Sequence, residues 1–289
     1  MRKVLIVGTG LLGGKLAKMF TDKFEFDVFT TYAQHRIHIS GCKTYKMNIE
    51  NGYSCEIIKK INPDYIVHTA ALTNVDACET HKEDAFKINV NGTKHIAEAS
   101  EEINAKLVYI STDYVFDGEK GMYKEDDPTN PVDYYGETKL EGEKVVKDLM
   151  DFIIVRPSVL YGWNSVKLNF VTWAIDELRK GKEINIVKDQ FNTPTLADNL
   201  AELISELIER GESGLFHACG SERINRYDFA LKIAEIFDLN RALITPITSD
   251  QLNWIAKRPM DSSLDVSKIS KIKKPLNIEE GLKRMRDLE

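Results

Sequence analysis

Six residues near the start of the chain, Gly8-Thr9-Gly10-Leu11-Leu12-Gly13, limit what it can fold into more than any other feature. They follow a short β-branched run over residues 3–7 and lead into a helical period over 12–20. Between a strand and a helix, the spacing Gly-x-Gly-x-x-Gly marks a dinucleotide site. Gly8 permits the tight turn, Gly10 lets the backbone approach a pyrophosphate, and Gly13 lets the helix pack on the strand. The start of the helix, with Leu11 and Leu12, presents free N–H groups and the positive end of the helix dipole to the phosphates.

The second strand bears on which dinucleotide. An NAD site usually places Asp or Glu at its end, roughly 20 residues past the glycines, against the ribose 2′-hydroxyl. Here the stretch reads Thr30-Thr31-Tyr32-Ala33-Gln34-His35-Arg36, with no carboxylate, and Asp27 precedes the strand end and points away. Tyr32 and Arg36 become the candidate contacts, and Arg36 suits a 2′-phosphate through charge-assisted hydrogen bonds. The alternative is that Arg36 is a solvated surface charge. NADP, working as NADPH, is the expected cofactor, with NAD as the alternative.

Strand-like runs over 3–7, 27–31, 65–68, 106–110 and 152–155 alternate with helical periods over 12–20, 55–61, 82–103 and 135–149. This alternation is how βαβ crossovers read, so the fold class is α/β, a Rossmann-type doubly wound parallel sheet. The polar stretch 117–133 is too long for an ordinary turn and is expected over a site. After Arg156-Pro157 the pattern becomes mixed, with helices over 169–180, 195–209, 226–237 and 277–287. Asn277 and Glu280 make a capping-box start for the last. The expected division is a dinucleotide-binding domain over 1–160 and a smaller substrate lobe over 161–289, part of which returns to the sheet.

Composition excludes several roles. The formal charge is -6 with no basic run, so no nucleic-acid partner is expected. No apolar stretch reaches the roughly 18 residues of a membrane span, and Met1-Arg2-Lys3 leads straight into a strand without a signal-peptide pattern, so the expectation is a cytoplasmic protein with no membrane partner. Cys42, Cys55, Cys78 and Cys219 form no close pair, and the six histidines form no ligand-spaced pair, so neither a disulfide framework nor a metal is expected.

Tyr135 and Lys139 are four residues apart on an expected helix and project from one face. A phenol titrates at about 10, and a neighbouring ammonium favours phenolate and draws that value down. Such a pair is common by chance. It gains meaning from Ser111-Thr112-Asp113 at the end of a strand, followed by the long polar loop.

These residues carry a resemblance. The run Ser111-Thr112-Asp113-Tyr114-Val115-Phe116-Asp117-Gly118, then Tyr135-Gly136-Glu137-Thr138-Lys139-Leu140-Glu141-Gly142-Glu143, Thr73-Asn74-Val75-Asp76, Asp189-Gln190-Phe191-Asn192-Thr193-Pro194-Thr195 and Arg258-Pro259 resemble the extended short-chain dehydrogenases/reductases. Within these the chain is most similar to the dTDP-4-dehydrorhamnose reductase family, over almost its whole length.

The resemblance implies Tyr135 as general acid, Lys139 on the nicotinamide ribose, and Thr112 hydrogen-bonded to the reacting oxygen. It implies that Ala70, Ala71, Leu72 and Pro157 line the cofactor, with Asn48 and Ile49 beside the adenine. Thr73, Val75, Asn169, Gln190 and Arg258 fall at substrate-side positions, Arg258 against a diphosphate. The implied reaction is reduction of a 4-keto nucleotide-linked deoxysugar, and the implied assembly is a homodimer through helices 82–103 and 135–149.

Three departures mark the chain. Its glycine loop is one residue shorter than is usual in the superfamily, Asn48 replaces a common Asp, and Pro157-Ser158-Val159 stands where the family has Thr-Ser-Trp. Two alternatives follow from the same residues. One is a sugar-nucleotide epimerase or dehydratase, although Asp113 alone stands where a dehydratase usually has an acidic pair. The other is an NADP-binding regulator similar to the methionine adenosyltransferase beta subunit, which the run Arg156-Pro157-Ser158-Val159-Leu160-Tyr161-Gly162 fits equally.

Overall fold

A computed structural model describes residues 1–23, 25–34, 37–164 and 167–289. The first half runs β1 (Arg2–Val7), α1 (Leu11–Thr21), β2 (Phe26–Tyr32), β3 (Lys43–Lys46), α2 (Glu56–Ile61), β4 (Tyr65–His68), α3 (Val75–Thr80), α4 (Lys82–Phe86), α5 (Gly92–Glu102), β5 (Lys106–Ile110), α6 (Tyr134–Lys147) and β6 (Phe152–Arg156). The second half runs β7 (Leu160–Tyr161), α7 (Phe170–Arg179), β8 (Ile184–Val187), β9 (Phe191–Asn192), β10 (Thr195–Leu196), α8 (Ala197–Glu209), β11 (Gly214–His217), β12 (Ile224–Asn225), α9 (Arg226–Ile236), β13 (Ile244–Ile247), α10 (Ser267–Ser270) and α11 (Ile278–Asp287).

Seven strands form one sheet in the order β11-β6-β5-β4-β1-β2-β3. Every pairing in it is parallel. Alternate residues of β1 serve opposite layers. Val4 and Ile6 join α1 and α8 in one core, with Leu16, Phe20, Leu200, Leu203 and Leu207. Leu5 and Val7 join the other, with Ile58 of α2, Ile96 of α5 and Val146 of α6. Apolar residues on both faces of a strand are what a parallel sheet covered by helices requires.

Chain order reverses between β1 and β4, and at such a switch point the strand ends leave a crevice. The glycine turn follows β1 and the segment Thr69–Leu72 follows β4, so both border it. Past the sheet, α7, α9 and α11 share a further core through Val171, Ile175, Phe229, Ile233, Leu282 and Met285. The capping box of α11 is present in both directions, Glu280 N to Asn277 Oδ1 at 2.9 Å and Asn277 N to Glu280 Oε2 at 2.9 Å.

The strand β11, from the second half of the chain, lies in the sheet beside β6. Two features differ from the sequence expectation. The edge strand β3, Lys43-Thr44-Tyr45-Lys46, has no buried residue, so it carries no apolar signal. The helical period over 82–103 is broken by a π-helical turn at Lys87–Asn91, which lets Asn89 turn inward.

The loop over 117–133 packs down on the chain. Tyr123 stacks on Phe116 with ring centroids 4.2 Å apart, and Met122 N donates to Ser263 Oγ at 2.8 Å. Among the described residues no helix is long and apolar enough to cross a membrane, and no three His, Cys, Asp or Glu side chains group to hold a metal. All four cysteines are free thiols.

Candidate active site

The three glycines of the first turn have separate duties. Gly8 has φ +94°, a region open to glycine, and a Cβ there would stand 3.0 Å from Ala70. A Cβ on Gly13 would meet the Gly8 carbonyl oxygen at 2.0 Å, so α1 can lie this close to β1 only with glycine there. Gly10 has nothing within 4 Å of a built Cβ. Two glycines therefore shape the turn and the third faces open space, as close approach by a ligand requires. The Thr69 hydroxyl fixes the turn by donating to the Val7 and Gly8 carbonyls at 3.0 and 2.9 Å.

Of the remaining cofactor candidates, Ala70 stands against Gly8. Tyr32 ends β2, and its carbonyl accepts from Met47 N at 2.9 Å, which leads the chain into Asn48 and Ile49. Asn48 is exposed and Ile49 buried. The Leu72 N–H donates to Asn89 Oδ1 at 2.8 Å, while Asn89 Nδ2 donates to the Leu72 carbonyl and to Thr138 Oγ1 at 3.1 and 3.0 Å. Asn89 thus clamps the Ala70-Ala71-Leu72 segment to α6. Pro157 is buried, and its carbonyl accepts from Asp113 N at 3.0 Å. Arg36 lies outside the described residues.

Thr112, Tyr135 and Lys139 come together at the carboxyl end of the sheet. The Tyr135 hydroxyl is hydrogen-bonded to Thr112. The Thr112 hydroxyl donates to Asp113 Oδ1 at 3.1 Å, and its oxygen accepts from Tyr114 N at 3.2 Å. Asp113 Oδ2 accepts from Ser158 at 2.8 Å and Ser262 at 2.5 Å. Three hydroxyls therefore saturate this buried carboxyl, whose pKa burial still raises. In this setting Asp113 orients Thr112 and is no free acid.

The expected effect of Lys139 on Tyr135 is not what the structure shows. Burial pushes the Tyr135 phenol up, Thr112 opposes it, and Asp113, Cys78 and Asp133 push it further. Lys139, only 2% exposed, lies with Nζ 4.1 Å from the centroid of the Tyr109 ring. Burial brings its pKa down to about 7, against the opposing pull of Glu143. Desolvation is the largest influence on each of the two groups.

The substrate-side candidates split. Arg258 Nη2 pairs with Asp76 Oδ1 at 2.9 Å and its guanidinium lies 5.7 Å from the Trp254 ring, so one arm of the fork is held by α3. Gln190 is buried and donates to the Pro259 carbonyl at 3.4 Å. Val75 opens α3, and exposed Thr73 precedes it. Asn169 caps α7, accepting from Thr172 N at 3.3 Å and donating to the Gly162 carbonyl at 2.7 Å.

Val159, at the position where the family resemblance calls for an aromatic, has φ +41°, rare for a β-branched residue.

A family model described as RmlD substrate binding domain matches residues 1–288. The chain belongs to this family. It is 34% identical over 285 residues to dTDP-4-dehydrorhamnose reductase of Aggregatibacter actinomycetemcomitans, covering 93% of this chain and 92% of the relative. It is also 34% identical over 285 residues to methionine adenosyltransferase 2 subunit beta of Bos taurus, covering 93% and 81%. The solved dTDP-4-dehydrorhamnose reductase of Bacillus anthracis, in complex with NADP, superposes with a TM-score of 0.86 at 30% identity over 100% of both chains.

Three further residues belong to this candidate site beyond those expected from the sequence. Asn89 carried a signal, a polar residue on the apolar stripe of a helical period. Asp133 carried one too, as an Asp immediately before a helix. It caps α6 by accepting from Gly136 N at 2.8 Å, while its Oδ2 is buried with no hydrogen-bond partner among the described residues, and burial raises its pKa to about 6. Arg226 carried none. It opens α9, hydrogen-bonds the Tyr114 hydroxyl, lies 5.1 Å from the Phe170 ring, and feels Asp113 and the like charge of Arg258.

Proposed function

We propose that this chain is an NADPH-dependent reductase of a 4-keto nucleotide-linked deoxysugar, of the kind its dTDP-4-dehydrorhamnose reductase relatives are named for. The observation that carries this reading is the joining of Thr112, Tyr135 and Lys139 at the same sheet end as the glycine cradle. The cradle fits a dinucleotide, since Gly8 and Gly13 are glycine by packing and Gly10 stands open. Gly8, Gly10, Leu11, Leu12, Gly13, Tyr32, Asn48, Ile49, Ala70, Ala71, Leu72 and Pro157 would hold it. When bound, it supplies the hydride.

The protein's own residues handle the proton. With its phenol pushed up, Tyr135 carries that proton at neutral pH and can deliver it to the oxygen of the carbonyl as negative charge develops there. Thr112, whose hydroxyl would turn its hydrogen from Asp113 Oδ1 to that oxygen, is the second donor there, and two donors stabilise the developing charge. Lys139, as ammonium, binds the ribose and steadies the phenolate that Tyr135 leaves. Arg258 and Arg226 give the substrate side positive charge suited to a diphosphate, with Gln190, Thr73 and Val75 around it. Asn169 serves by fixing α7, whose first residue, Phe170, supports Arg226. The test is loss of reduced-cofactor absorbance with a panel of keto-sugar nucleotides, with NADPH and NADH titrated in parallel. Tighter binding of NADH would remove NADP from the proposal.

One observation favours a second reading, an NADP-holding regulator of another enzyme. The identity to the bovine methionine adenosyltransferase subunit equals that to the reductase, and Val159 supplies no aromatic beside the site. A regulator would bind NADP, associate with a synthetase and reduce nothing.

A further inference from the structure

The ion pair of Glu143 and Arg156 has no part in the roles assigned above. Glu143 lies on α6 one turn past Lys139 and two past Tyr135, so the three side chains follow one helix face. Glu143 is 0% exposed and Arg156 1%. Arg156 meets the carboxylate with both arms of its fork, Nε to Oε1 at 2.7 Å and Nη2 to Oε2 at 2.7 Å. Ser111, the neighbour of Thr112, donates to Oε1 at 2.6 Å. The third arm of Arg156 meets His217 Nε2 at 3.3 Å, and His217 Nδ1 meets the Tyr123 carbonyl at 3.0 Å, an arrangement that keeps the ring neutral.

Stability alone does not account for this network, because apolar residues of similar volume often serve as well as a buried ion pair. What apolar residues cannot supply is a fixed negative charge one turn from Lys139. We propose that Glu143, held by Arg156 and Ser111, is a positioning residue that keeps Lys139 an ammonium and α6 in register with Thr112.

The surroundings of Lys139 support this. From β5 it faces the Tyr109 ring, from β4 His68, from α3 Cys78, and from its own helix Tyr135 and Glu143. The His68 pKa is pushed down to about 3 and the Cys78 thiol up to about 11, so both are neutral at pH 7. Tyr109 and Tyr135 are likewise held as phenols. Among these groups Glu143 is the anion, itself paired with the cations Arg156 of β6 and, at 3.4 Å, Lys147 of α6.

The inference rests on Lys139 holding the cofactor. The experiment is the pH dependence of NADPH affinity, measured by fluorescence titration from pH 5 to 9 in the full-length protein. Wild-type affinity should fall as pH rises through about 7. In Glu143→Gln the midpoint should move down by roughly one to two pH units, the size expected for losing one charge across a helix turn inside a protein. If that variant does not fold, the double variant E143L/R156L, which removes the cation along with the anion and leaves no orphaned charge, should move the midpoint in the same direction by a smaller amount. A folded variant of either kind with the wild-type midpoint, whatever its loss of thermal stability, overturns the proposal. K139M should abolish the pH dependence; if it does not, the cofactor role of Lys139 fails, and with it this use of Glu143.

Discussion

The two ends of α6 hold buried carboxyls in opposite states. At its start Asp133 has one oxygen on a backbone N–H and the other without a partner among the described residues, and burial raises its pKa to about 6. Further along, Glu143 is equally removed from water, yet its pKa is lowered, because the Arg156 fork and Ser111 outweigh the cost of burial. Burial is common to both ends, so the partners decide. The helix that carries Tyr135 and Lys139 therefore has a firm negative charge on one side of them and a carboxyl that titrates near neutrality on the other.

The largest effect should come from breaking the paired end. E143L leaves Arg156 as an uncompensated buried cation and should cost about 3–5 kcal/mol in urea denaturation. The double variant E143L/R156L should recover most of that loss, and a single variant no worse than the double would show that the pair is not electrostatically coupled.

Asp133→Asn sharpens the other end. Asn caps a helix as well as Asp does. The folded pKa of about 6 lies above the ordinary 3.8, so the native state binds the proton more tightly than the unfolded chain, and stability falls as pH rises from about 4 to about 6. Asp133→Asn should therefore gain about 1–3 kcal/mol at pH 7 and almost nothing near pH 3. Equal gains at both pH values would contradict the raised pKa.

Arg258 is the cation that opposes the rise at Asp133, and it is also the ion-pair partner of Asp76. Arg258→Ala should raise KM for a nucleotide sugar by roughly tenfold, the lower end of a hydrogen bond to a charged group, and leave NADPH affinity nearly unchanged. It should also enlarge the Asp133→Asn gain at pH 7. The smallest effect belongs to Tyr134→Phe. Tyr134 opens α6 with its ring under Lys82, whose Nζ lies 4.8 Å from the centroid, and turnover should change little.

Much of this was legible in the sequence because it is local. The glycine turn, the Tyr135 and Lys139 spacing, the Asn277 capping box and the alternation of strand and helix each lie within a few consecutive residues. What was not legible depends on distant parts of the chain. The strand β3 is polar and sits at a sheet edge, so only pairing with β2 defines it. The inward turn of Asn89 requires a π-helical turn that propensity does not announce. Asp113 reads as an acid until Ser158 and Ser262, 45 and 149 residues away, are seen to saturate it. The protonation of Tyr135 and Lys139 is not legible for the same reason, since desolvation is set by the whole packed site.

The central claim is that Tyr135 donates a proton in an NADPH-dependent reduction. Tyr135→Phe removes only the hydroxyl that Thr112 engages. With dTDP-4-dehydrorhamnose and NADPH, followed by loss of reduced-cofactor absorbance, the wild type should turn over. Tyr135→Phe should be slower by about 10² or more with NADPH affinity intact. Near-normal turnover in Tyr135→Phe would contradict the acid assignment, and a wild type that binds NADPH but reduces no keto-sugar nucleotide would contradict the enzyme itself.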